Sequence, residues 1–218
     1  MNKRDESSLK VAEFLLQIKA IKLQPSAPFT WASGWLSPIY CDNRKTLSYP
    51  KIRTYIRQEL ARKVLDNFGK PDMIAGVATG GIAQGALVAQ ELGVGFAYVR
   101  PGDKGHGLQN RIEGVVEAGQ SVVVIEDLIS TGGSSLSAVQ ALREAGCEIK
   151  GMASIFTYGF DLSVQAFKNA QCPLITLTDY NTLITQALES GYISVDDLES
   201  LREWRQNPAT WGQNQHAQ

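Results

Sequence analysis

The chain has 218 residues, 44% of them hydrophobic and 20% charged, which suits one globular domain with a small accessory part and excludes two full catalytic domains. Its 21 basic and 22 acidic side chains nearly cancel, so charge gives no reason to expect bulk binding to nucleic acid or to an anionic membrane. Cys41, Cys147 and Cys172 are scattered and form no C-x-x-C pair, which argues against a disulfide framework or structural zinc and for a reducing, cytoplasmic setting.

In chain order, the polar start MNKRDESS lacks a signal-peptide core. Val11, Phe14, Leu15, Ile18 and Ile21 recur at helical spacing and predict a helix over 9–23. The stretch FTWASGWLSPIYCDNR, 29–44, is aromatic and turn-rich, as short strands and loops are. Pro50 suits the first turn of a helix that carries Ile52, Tyr55, Ile56, Leu60, Val64 and Phe68 on one side and stops at Gly69. No charge occurs from Met73 to Gln90, but Thr79, Gln84 and several glycines interrupt the run, so it reads as strand, turn and helix rather than a membrane span. GFAYV, IEGVV, SVVVIE, KGMASIFTY and LITLTD are further predicted strands, with a helix over SSLSAVQALREAG. A last helix is expected from near Ser194, with Asp197 three residues on, and a frayed tail over 207–218. Strands alternating with helices predict an α/β fold on a mostly parallel central sheet flanked by helices.

One stretch carries chemistry. In VVVIEDLISTGGSS, 122–135, an apolar run leads into Glu126 and Asp127, then Leu128 and Ile129, then a hydroxyl- and glycine-rich turn that opens a helix. Ligands of open parallel sheets sit beyond the carboxyl ends of the strands. Main-chain N–H groups of the turn can converge on one anion, helped by the helix N-terminus. Gly132 and Gly133 allow close approach and positive φ, and Ser130, Thr131 and Ser134 add hydroxyl donors. The carboxylates would repel that anion, but they accept hydrogen bonds from hydroxyls. A ribose 5-phosphate satisfies both halves. Neither G-x-x-x-x-G-K-[ST] nor G-x-G-x-x-G occurs.

On VVVIEDLISTGG the chain resembles the type I phosphoribosyltransferase family, whose motif binds phosphoribosyl pyrophosphate (PRPP) through this run of residues. FTWASGWLSPIYCDNR and VRPGDKGHG narrow the resemblance to orotate phosphoribosyltransferases, over about residues 9 to 180. It implies one phosphoribosyltransferase domain over 1–218, with about 1–45 and the C-terminal segment forming a small hood. It implies PRPP bound by Glu126, Asp127, Leu128, Ile129, Ser130, Thr131, Gly132, Gly133 and Ser134, with Ser130 also nearest orotate. It implies that the loop 100–110 brings Arg100, Lys104 and His106 to the leaving pyrophosphate. Lys104 and Asp127 are the implied catalytic residues. The resemblance further implies Mg²⁺ held mainly through PRPP, and a homodimer whose loops enter each other's sites. GVATGG, 76–81, matches the turn that approaches pyrophosphate in the family, and Trp31, Trp35 and Tyr40 can cover the base. The chain departs from some members at Ala32, Gly80, Pro101, Gly102 and Tyr158, where they carry lysine or arginine. Two alternatives stand at this point: a transferase for another base, and a PRPP-sensing regulator that binds nucleic acid, to which the near-zero net charge lends little support.

Overall fold

The computed structural model describes residues 6–31, 34–102 and 111–212. The first helix, α1 (Glu6–Gln17), is shorter than its periodicity predicts. Lys19 turns to φ 53°, and β1 (Ile21–Leu23) then pairs antiparallel with β4 (Ile39–Cys41). The triplet IKL also fits a period of two: Ile21 and Leu23 are buried and Lys22 is not, so strand pairing captures what looked like the helix's last turn. Between them, β2 (Phe29–Thr30) and β3 (Leu36–Ser37) form a second small antiparallel pair. A 3₁₀ turn over 43–48 leads into α2 (Pro50–Phe68), which begins on proline and stops at Gly69, φ 72°.

The central sheet holds β5 (Met73–Val77), β6 (Gly95–Val99), β7 (Ile112–Glu113), β8 (Ser121–Ile129), β9 (Glu148–Thr157) and β10 (Leu174–Asp179), in the order β10-β9-β8-β5-β6-β7. Every pair is parallel except β6–β7. The strand expected over IEGVV is only Ile112–Glu113, because Gly114 follows at φ 109°. Helices α3 (Gly80–Leu92) and α4 (Gly133–Glu144) follow β5 and β8. Val123 and Ile125 join one core with α1, α2 and Val88 of α3, whereas Val122 and Val124 join a second core with Val139 and Leu142 of α4. The alternation along β8 thus separates two apolar layers, with α3 and α4 on opposite faces.

Chain order reverses direction between β5 and β8: after β5 it moves outward through β6 and β7, then returns to β8 and proceeds to β9 and β10. That is the switch point at which a parallel sheet opens a crevice beyond its strand ends.

Two helices escaped the periodicity. In α5 (Asp161–Asn169), Leu162 and Val164 face outward and only Ser163 and Phe167 are buried. In α6 (Tyr180–Glu189), Asp179 ends β10 and also caps the helix, accepting from the Thr182 N–H at 2.9 Å, so no loop separates strand from helix. The last helix, α7 (Asp197–Gln206), starts three residues after Ser194, whose N–H and hydroxyl both donate to Asp197 Oδ2. Its Trp204 is fully buried against Trp31, Tyr158, Phe160 and Tyr180, so the C-terminal helix and the residue that follows β2 share one aromatic cluster. Of the expected tail, 207–212 form turns with Trp211 against the core, and 213–218 lie outside the described residues.

Candidate active site

The acids do not follow a strand end at 126; β8 runs to Ile129 and carries them inside its last two turns of pleat. Pairing with β5 stops at Ile125, opposite Gly76, so the segment from Glu126 onward borders the crevice. Glu126 is 6% exposed. Its Oε1 accepts the Asp127 N–H at 2.9 Å and its Oε2 accepts the Ser135 hydroxyl at 3.1 Å. Burial, and then the charge of Asp127, push its carboxyl up to about 9. The Asp127 carboxyl is also raised by burial, offset by a hydrogen bond from Glu126 and by the Arg44 guanidinium. At neutral pH the Glu126 carboxyl therefore keeps its proton.

Asp127 lies over the start of α3. A Cβ built on Gly80 would overlap the Asp127 carboxylate, and one on Gly81 would overlap the Ile125 carbonyl oxygen, so paired glycines let the turn 78–81 lie flat against β8. A lysine at 80 and Asp127 in this orientation exclude each other.

The turn after β8 is open to an anion. Gly132 is the N-cap of α4, at φ 85°, and among the described residues no side chain caps the helix, leaving the first-turn N–H groups for an external acceptor. Positive φ is needed only at Gly132; Gly133 is helical, and the space where its side chain would stand is clear. Thr131, Gly133 and Ser134 are exposed, whereas Ile129 is buried in the core and contributes only its main chain to the surroundings.

Beside the turn, Ser130 and Leu128 line a pocket of about 430 Å³ with Thr30, Trp31, Tyr40, Cys41 and Tyr158. Trp31 is held by its indole N–H on the Ile39 carbonyl, 3.2 Å. Tyr158 is 2% exposed and packs against Trp31, Phe156, Phe160 and Trp204, so it serves as a wall rather than a polar contact. Trp35 does not reach this pocket but lines the adjoining one with Thr131 and Arg205.

Of the cationic loop, Lys104 and His106 lie outside the described residues, as does Ala32. Arg100 ion-pairs with Glu113 at 2.9 Å. The loop's two stems are tied together: the Arg100 N–H donates to the Arg111 carbonyl, the buried Arg111 donates through Nε to the Arg100 carbonyl, and its Nη1 donates to Ser137 of α4. Arg111 had no sequence signal beyond ending a loop. Asn43 was also missed; its Nδ2 donates to the Asp127 carbonyl at 2.7 Å.

Comparison with known proteins identifies the family. The phosphoribosyl transferase domain family matches residues 50–163. The orotate phosphoribosyltransferase of Porphyromonas gingivalis is 59% identical over 93% of this chain and 96% of its own length. That of Bacteroides fragilis is 60% identical over 92% and 94%. Among solved structures, the orotate phosphoribosyltransferase of Aeropyrum pernix superposes with a TM-score of 0.74 at 25% identity, covering 84% of this chain and 99% of its own.

Proposed function

This chain belongs to the orotate phosphoribosyltransferase family, and from that premise we propose how its crevice carries out the transfer of a phosphoribosyl group from PRPP to orotate. The products are orotidine 5'-monophosphate and pyrophosphate, in pyrimidine biosynthesis. The observation that carries the site assignment is the join of an acid pair to an uncapped helix start at the sheet's switch point.

The main-chain donors of 130–134 hold the 5'-phosphate, and Asp127 with Glu126 accepts the ribose hydroxyls. The pocket lined by Ser130 and Tyr40 takes the base. N1 of orotate attacks C1 of the ribose as the bond to pyrophosphate breaks, with inversion. Positive charge develops on the ring in the transition state, and the acids beside it lower that cost. Lys104, Arg100 and His106 neutralise the leaving pyrophosphate, and closure of their loop keeps water from the ring.

The residues present fit Mg²⁺ held mainly through PRPP: Asp127 offers hard oxygen atoms beside the space for a ribose, and substrate oxygens would complete the shell. When bound, the ion would neutralise charge on the pyrophosphate. A homodimer sharing the 100–110 loops and a cytoplasmic location complete the reading; among the described residues no helix is long and apolar enough to cross a membrane.

Following orotate absorbance with PRPP and Mg²⁺ tests the reading, with hypoxanthine, xanthine, adenine and uracil as competitors. Asp127→Asn is expected to weaken PRPP binding about tenfold or more by calorimetry, the scale of a lost charge-assisted hydrogen bond. Unchanged affinity would remove Asp127 from the ribose site.

A further inference from the structure

The backbone of Asp127 is held by side chains. Beyond Ile125 the register with β5 has ended, so among the described residues that edge of β8 has no strand partner. The Asp127 N–H donates to Glu126 Oε1, and its carbonyl accepts from Asn43 Nδ2 at 2.7 Å. Asn43 comes from the hood, far away in sequence, and is 1% exposed.

Every polar group of that residue apart from its N–H has a named partner. Oδ1 accepts from the Cys41 thiol at 3.3 Å, and the Asn43 carbonyl accepts from the Thr46 hydroxyl at 2.6 Å. The Thr46 oxygen in turn accepts from Gln84 Nε2 of α3 at 3.1 Å. Two walls of the crevice thus meet at the Asn43 side-chain amide, the acid strand and the base pocket to which Cys41 belongs, while the helix after the 78–81 turn is linked through Thr46 to the main-chain carbonyl of the same residue. Packing alone would be met by an apolar side chain, since a buried amide is favourable only with its partners in place.

We infer that Asn43 is a positioning residue for the transfer: it fixes the main chain of Asp127, and so the direction in which that carboxylate projects over Gly80 toward the ribose. The inference rests on the assignment of Asp127 to the ribose hydroxyls. A purely structural Asn43 would tie hood to sheet and leave substrate constants alone.

Steady-state kinetics with PRPP and orotate varied separately, beside thermal melts, decide between the two. Asn43→Ala is expected to raise the KM for PRPP about tenfold, and by more than the KM for orotate, as loss of a group that aims a binding carboxylate should. Thr46→Val breaks the neighbouring links without touching Asp127; it should lower the melting temperature and keep the PRPP KM within about twofold. If Asn43→Ala is not recovered folded, Asn43→Gln keeps the amide but displaces it by one methylene, and carries the same expectation. A PRPP KM that stays normal in the folded Asn43 variant, or moves equally in Thr46→Val, overturns the inference. Asp127→Asn separates the two levels: a normal PRPP KM there defeats the site assignment, whereas a raised one with a normal Asn43 variant defeats this inference alone.

Discussion

At Glu126 a single buried carboxyl sets stability against chemistry. Its value rises from an ordinary 4.5 to about 9 in the folded chain, through burial first and the Asp127 charge second. Between those values the folded chain keeps a proton that the unfolded chain releases, so stability falls as pH rises through the window. Glu126→Gln keeps the shape, with an oxygen able to accept the Asp127 N–H. We expect its melting temperature to exceed the parent's at pH about 8 to 9, by an amount on the order of 1–3 kcal/mol in stability, with the gap closing toward pH about 5. Turnover should fall, because the substituted amide cannot become the anion that a ribose bearing positive charge favours. Melts across that pH range with a parallel orotate assay check both halves, and a variant with equal turnover and no pH-dependent gap contradicts the buried-acid account.

The start of α3 puts two rules in opposition at element scale. Helix propensity alone favours Gly80→Ala, by less than the ~1 kcal/mol of a helix interior because Gly80 is the first residue of α3. The same methyl group would meet the Asp127 carboxylate, which is the free end of a side chain and can swing aside. The expected outcome is therefore a melting temperature at or above the parent's, with PRPP binding weakened about tenfold; calorimetry and melts together read it. A loss of both would mean that the turn itself, and not the acid, had moved. This conflict was hidden in the sequence, where GVATGG looks like any small connection. The acid pair, the glycine turn and the α/β alternation were legible because each is local in the chain. Lost to view were features fixed by distant partners: Ile21–Leu23, taken into a strand by Ile39–Cys41; α6, joined to its strand through one capping aspartate; and Asn43, whose role exists only because residue 127 lies beside it.

For the whole molecule, the acids of the proposed site have to be complemented by cations for the pyrophosphate. The described half-site supplies acids, main-chain donors and a base pocket, while the cations assigned to pyrophosphate belong to the loop whose stems at Arg100 and Arg111 are tied to each other and to Ser137. If that loop serves the partner's site, the changes Lys104→Ala, expected to slow turnover, and Asp127→Asn, expected to weaken PRPP binding, need not act on the same site. Mixing and reassociating the two variants then places both defects in one site of a hybrid dimer and leaves the other intact. With random reassociation half of the dimers are hybrids with one working site in two, so about a quarter of the parent activity should return. A loop serving its own chain predicts a different result, since each site in the hybrid keeps one defect and activity stays at the level of the separate variants. Orotate consumption before and after reassociation distinguishes the two, and size-exclusion chromatography of the mixture confirms that subunits have exchanged.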